Sequence, residues 1–350
     1  MQSRLIEGIL GAGIISVVCF DVFHTVIMPR ATLRKARMGP FLIGRLLWPP
    51  YRDFVRTLPE DWRTGWLDIF APAAFVMLLS TWLASLIAGF AFLIFALGDF
   101  MNPPVIHFAD AAYYAGTSVL TLGSEIVAHQ WPARVVVLLA AVLGLICLAL
   151  VVSLLFSMLS YLQQREQIVN TLMSRAGTPP SGVVLLMRYR ELNIVDNLGA
   201  AFVGWENWIA SILESHRAFV LLMYFRATFA STSWLASIGA TLDAASLLLT
   251  AVEGDWIGEA DLYYWMGVTT LKGIAEYYEV PAVEDASVSR EQFELALEFL
   301  RSAGYAVRDG DKIWPYFLAR RSGYMRHLKP IAEHFEIPQH VWLPTLKYSG

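Results

Sequence analysis

Three apolar stretches constrain this chain more than any other feature. They run from about Gly8 to Met28, from Trp66 to Leu97 and from Arg134 to Leu162. Each meets the roughly 20 residues that a helix needs to cross the hydrocarbon core of a bilayer. The composition points the same way. Of 350 residues, 56% are hydrophobic and 16% charged, whereas a soluble domain carries about a quarter charged residues. The chain therefore reads as an integral membrane protein with room for a second domain. The first stretch sits where a signal peptide would, but basic residues follow it and no Ala-x-Ala pattern closes it, so it reads as a retained anchor.

The loops orient the spans. Between the first and second lie Arg30, Arg34, Lys35, Arg37, Arg45, Arg52, Arg56 and Arg63, whereas Gly98 to Pro132 contains neither Lys nor Arg. The positive-inside rule places the first loop in the cytoplasm and the second outside. The N-terminus is then outside and the C-terminal part cytoplasmic, in a multi-pass protein of the cell inner membrane. Phe41–Leu58 mixes Leu, Trp and Tyr with spaced arginines around Pro49-Pro50. It reads as a helix on the inner leaflet, with anionic lipids as partners of the basic 30–63 loop.

The external loop carries the chemistry. Its segment Tyr113-Tyr114-Ala-Gly-Thr-Ser-Val-Leu-Thr121-Leu122-Gly123-Ser124-Glu125 lies between the second and third spans. Non-helical backbone at membrane depth is tolerated only when protein buries it or it lines a water-filled pore. Thr121 offers a hydroxyl and a carbonyl to an ion, Leu122 a further carbonyl with its side chain packed behind, and Gly123 the backbone angles that turn carbonyls inward. Residues from about Ala71 to Leu162 resemble the pore domain of the potassium-channel superfamily, in the bacterial ion-transport-2 type with three spans. Thr121-Leu122-Gly123 stands where that family has Thr-Val-Gly. Tyr113 and Tyr114 stand where it carries two aromatics that brace the filter, and Gly144 where it has an inner-helix hinge glycine. The resemblance implies an outer helix, a re-entrant pore helix, a filter and an inner helix, assembled as a homotetramer.

The sequence departs from that family at the outer half of the filter, where Ser124-Glu125-Ile126 replaces Tyr-Gly-Asp. Ser124 cannot make large aromatic contacts, and a Cβ at Glu125 disfavours positive φ. The two outer carbonyl sites are expected to be lost or rebuilt. A ring of Glu125 carboxylates at the mouth would concentrate cations instead. The expectation is a weakly selective pore for monovalent cations, K+ or Na+, needing no cofactor. The alternative is a non-conducting membrane sensor or scaffold that keeps the fold.

Asp21 and His24 lie three residues apart in the first span, on one helical face. They read as a gating or docking pair. Beyond the third span the periodicity is helical, with expected helices at Val183–Asn193, Asp196–Ser215, Arg217–Thr228, Ser233–Ala251, Ala260–Tyr278, Arg290–Ala303 and Gly323–His334. Ser289 before Arg-Glu-Gln292 fits a capping box, and Asp243 marks Ser233–Ala251 as a buried core helix. Glu214, His216, Arg217, Arg226 and Asp243 line a polar pocket or form helix-packing ion pairs, and no ligand is indicated. The fold class is an all-α membrane protein: three transmembrane helices with a re-entrant pore helix and filter, then an all-α cytoplasmic domain. The division is 1–65 for the first span and interfacial segment, 66–165 for the pore domain and 166–350 for the helical domain. The net charge of −4 carries no nucleic-acid signal. Cys19 and Cys147 suit neither a disulfide framework nor a zinc site. His327, His334 and His340 lack metal-ligand spacing. With no Gly-x-Ser-x-Gly, HExxH, P-loop or dinucleotide motif, no catalytic residue is assigned.

Overall fold

A computed structural model describes residues 2–27, 39, 41–226, 232–254, 257–284 and 288–343. Arg30, Arg34, Lys35 and Arg37 of the basic loop lie outside these residues, as does the end of the expected Arg217–Thr228 helix. The protein is an all-α membrane protein with a helical C-terminal domain. Three helices are long and apolar enough to span a membrane, over Gln2–Ile27, Glu60–Ala96 and Trp131–Ala176. The chain divides into two compact units, one of residues 1–51 and 69–159, the other of residues 52–68 and 160–350.

In the first unit, α1 (Gln2–Val22) runs on into a π-turn, Phe23–Ile27. It lies antiparallel against α3 (Glu60–Ala96). Arg4 pairs with Asp99, Gly8 faces Ala96, and Trp82 Nε1 donates to Asp21 Oδ2 at 2.7 Å. At the closest point, a Cβ on Gly11 would lie 2.6 Å from the Gly89 carbonyl, and one on Gly89 would lie 2.7 Å from Ile15. Glycines at a crossing let two backbones touch, which supplies the dispersion contact that holds helices together in lipid. The short α2 (Trp48–Arg56) precedes α3. After α3, a two-residue antiparallel ladder pairs β1 (Met101–Asn102) with β2 (Val127–Ala128). It closes the base of the loop that holds α4 (Phe108–Val119). The Phe100 carbonyl then accepts from His129 and Gln130, leading into α5 (Trp131–Ala176).

The second unit is built around α8 (Trp234–Thr250), whose residues are almost all buried. Ser233 caps it by accepting from the Ala236 amide at 2.8 Å. Around it pack α6 (Gly182–Glu191), α9 (Ile257–Tyr278) and α11 (Gly310–Phe335), with α7 (Leu198–Ala218) against α9 and α10 (Arg290–Ser302) against α6 and α11. The capping box at Ser289–Gln292 is formed on both sides.

Two expected helices are corrected. Among the described residues, no helix continues over Arg217–Arg226. α7 ends at Ala218, Phe219 is extended, and a single 3-10 turn follows at Val220–Met223. Its four side chains are all buried, and burying them in one short turn overrides the local helical pattern. The expected Gly323–His334 helix is the second half of a longer one that begins at Gly310 under an Asp309 cap and carries Pro315 in its second turn.

Candidate functional site

Helix α4 leads into the candidate filter segment Thr121–Glu125. At its C-terminus Leu120 is the cap and Thr121 takes the left-handed conformation, φ 56°. The Thr121 amide donates to the Ser118 carbonyl at 3.1 Å, and the Leu122 amide to the Thr117 carbonyl at 2.8 Å. This pair of bonds is a Schellman motif, with threonine where glycine is usual. A β-branched residue there costs about 1–2 kcal/mol. Both hydroxyls of the last turn, Thr117 Oγ1 and Ser118 Oγ, donate to the Tyr114 carbonyl. Gly123 follows with φ 83°, while Leu122 stays at negative φ. An extended L-chain points successive carbonyls to opposite sides, and alternating the sign of φ brings them toward one side. Among the described residues of the loop, positive φ is confined to Thr121 and Gly123. Beyond them the Ser124 hydroxyl accepts from the Ile126 amide at 3.2 Å, so a serine turn carries the chain past Glu125.

Thr121, Leu122, Gly123 and Glu125 are exposed in the single chain and Ser124 is partly so. The Leu122 side chain is 72% exposed and does not pack behind the filter within its own chain. The two aromatics part company. Tyr114 is buried and its phenol meets the Ala128 backbone beside the ladder, whereas Tyr113 is 67% exposed. Gly144 sits against the end of the pore helix. A Cβ there would come within 2.9 Å of the Val119 carbonyl carbon and closer still to its oxygen. α5 is an unbroken helix through this position.

His24 lies in the π-turn with its ring edge-on to Phe20 at 4.2 Å. Among the described residues its Nδ1 has no hydrogen-bond partner. In the C-terminal unit, the proposed pocket residues take separate partners. Asp243 Oδ1 accepts from Arg321 Nε at 3.0 Å and from Tyr324, and Oδ2 lies 2.8 Å from His340 Nε2. Burial pushes the Asp243 carboxyl up, but Arg321, His340 and Tyr324 outweigh it and hold it below the usual carboxylate range. His216 is fully buried against Trp234, 4.7 Å between ring centroids, with Nδ1 2.9 Å from the Ile212 carbonyl. Burial, then the nearby Arg165 charge, lower its pKa to about 3. Arg226 reaches Asp68 and the Glu336 backbone. In the basic loop, Arg52 meets Asp53, Arg56 meets Glu336, and Arg63 donates to the carbonyls of Leu58 and Arg56. Residue spacing carried no signal for Arg321, Tyr324 or His340 as partners of Asp243. For Arg165 the only signal was an arginine just past the end of a span. Among the described residues no group of His, Cys, Asp and Glu could hold a metal.

Helix α4, capped onto an exposed loop, lies between two of the helices long and apolar enough to span a membrane. Residues 77–161 match the family described as "Ion channel", and this segment is a pore domain of the potassium-channel superfamily. Comparison of the chain with curated proteins and with solved structures finds no match.

Proposed function

We propose that this protein is a homotetrameric cation channel of the cell inner membrane, weakly selective among monovalent cations, with the N-terminus outside and the helical domain in the cytoplasm. The observation that carries this reading is the pair of positive φ values at Thr121 and Gly123, directly after the pore-helix cap. Alternating the sign of φ is what a carbonyl-lined loop requires, and one loop supplies only one wall of a pore. Closing a ring takes copies of the chain around an axis. The exposed Leu122 and Tyr113 support such an assembly, because a neighbouring copy would cover them. Glu125 then contributes one carboxylate per chain at the outer mouth, where a ring of them draws in cations. The permeant species are K+ and Na+, and no cofactor or catalytic step is assigned.

The remaining residues take supporting roles. Asp21 docks the first span through Trp82, with His24 beside it, and Gly144 seats the inner helix under the pore helix as well as permitting it to bend. The orientation rests on the arginines of the 30–63 loop set against a 98–132 loop without Lys or Arg. Anionic lipids engage that basic loop only through donors not already spent on Asp53, Glu336 and backbone carbonyls.

The test is conduction by the purified, reconstituted protein under mixed sodium and potassium. A reversal potential near zero with the two ions on opposite sides is expected. A reversal close to the potassium equilibrium value would refute weak selectivity. Absence of conductance from the intact oligomer across pH and voltage would refute the channel reading and leave a scaffold or sensor.

A further inference from the structure

Past the last residue of the family match, α5 continues for about four turns. There Arg165 is 3% exposed. Its Nη1 donates to the Leu222 carbonyl at 3.0 Å, Nη2 to the Phe225 carbonyl at 2.8 Å and Nε to Glu166 at 2.9 Å. Both carbonyls belong to the short segment Val220–Arg226, the segment that declined to be helical. At the end of that segment Arg226 lies 3.7 Å from Asp68, in the first turns of α3, and donates to the Glu336 carbonyl at 2.6 Å. So one seven-residue segment holds the ends of both long helices that continue into the pore domain, α5 through Arg165 and α3 through Arg226. The segment is itself seated firmly. Val220 to Tyr224 are buried, Tyr224 packs edge-on against Phe335, and the Tyr278 hydroxyl donates to the Val220 carbonyl.

We propose that Val220–Arg226 is the coupling element of this protein, through which the helical domain sets the positions of the ends of α3 and α5, with Arg165 and Arg226 as the positioning residues. The inference rests on the channel reading for its functional consequence but not for its mechanical one. A planar guanidinium can bridge two carbonyls at once, which a lysine ammonium on a flexible stem does not reproduce. A fully buried charge also has no alternative partner in water, so the link to α5 is stiff. The Asp68–Arg226 contact is longer and its carboxylate half-exposed, so the link to α3 is the weaker of the two.

The experiment compares wild type with Arg165→Lys, Arg165→Gln and Asp68→Asn in the reconstituted full-length protein, by single-channel recording and by hydrogen exchange. Arg165→Gln should shift the open–closed equilibrium about a hundredfold or more, the loss expected for two charged hydrogen bonds, with unit conductance and reversal potential unchanged. Arg165→Lys should restore little of it. Exchange should quicken at α5 residues 160–176 and, through the shared segment, at α3 residues 60–68, which Arg165 does not touch. Exchange that quickens only in α5, or in the whole helical domain at once, would overturn the coupling. Unchanged open probability in a conducting Arg165→Gln variant would do so too. A wild type that does not conduct refutes the channel reading, and the exchange at α3 then still decides the coupling.

Discussion

Acid should unfold the C-terminal domain earlier than its carboxylates alone require, and His216 is the reason. Its pKa falls from about 6.5 to about 3, because burial removes water from the imidazolium and the Arg165 charge repels it. Above about pH 6.5 neither state holds the proton and the domain keeps its full stability. Between 6.5 and 3 the unfolded chain binds a proton that the folded chain refuses, so stability falls as pH falls and levels off below about 3. One proton costs about 1.4 kcal/mol per pH unit, so His216 alone removes about 2 kcal/mol per chain between pH 6.5 and 5. For a domain of this size that is roughly 4–8 °C in unfolding midpoint. The control is His216→Asn, whose amide can still donate to the Ile212 carbonyl but does not titrate. Thermal unfolding of both proteins in detergent should give midpoints that diverge with pH: between pH 6.5 and 5 the wild type loses those degrees relative to the variant, in which the half-buried His327 and His334 still titrate. Ring-carbon NMR of labelled histidines should show one resonance, absent from the variant, that stays neutral at pH 5. Parallel pH profiles for the two proteins would refute the argument, as would a His216 resonance that titrates near 6.5.

Four other substitutions separate roles that look alike. Gly144→Ala would put a Cβ into the Val119 carbonyl, so the purified oligomer should lose about 1–3 kcal/mol of stability. Gly204→Ala, where a Cβ meets nothing within 4 Å, should gain up to about 1 kcal/mol, and equal stability in the two variants would mean that Gly144 only bends. Glu125→Gln should reduce cation conductance about fivefold at 0.1 M salt, if four carboxylates sit about 8 Å from the axis in a water-like dielectric. The effect should shrink to nearly nothing at 1 M salt, and a salt-independent loss would place Glu125 inside the filter. Asp243→Asn leaves Arg321 buried without its counter-charge and should cost about 3–5 kcal/mol, seen as faster proteolysis of the C-terminal domain; wild-type resistance would show that the cluster is not needed for folding.

What the residues announce in advance is what local physics decides. Twenty apolar residues in a row must span or be buried, Ser289 three positions ahead of Gln292 caps a helix, and an apolar run containing Asp243 becomes a core helix because its charge needs partners. What they conceal is set by partners remote in sequence. Arg321 and His340 lie 78 and 97 positions from Asp243, and nothing in the spacing joins them. Val220–Arg226 has a helical pattern but gives its carbonyls to Arg165, which lies some sixty positions away. The filter shows the same division within a few residues. Thr121-Leu122-Gly123 is readable as ion-facing chemistry, but the left-handed conformation of Thr121 is not, since a β-branched residue is among the last that propensity would place there. The two amide bonds of the Schellman motif impose it. The glycine that looked like a hinge shows why such readings diverge: bending and close packing both call for the absence of a side chain, and only the position of the Val119 carbonyl makes packing a requirement at residue 144.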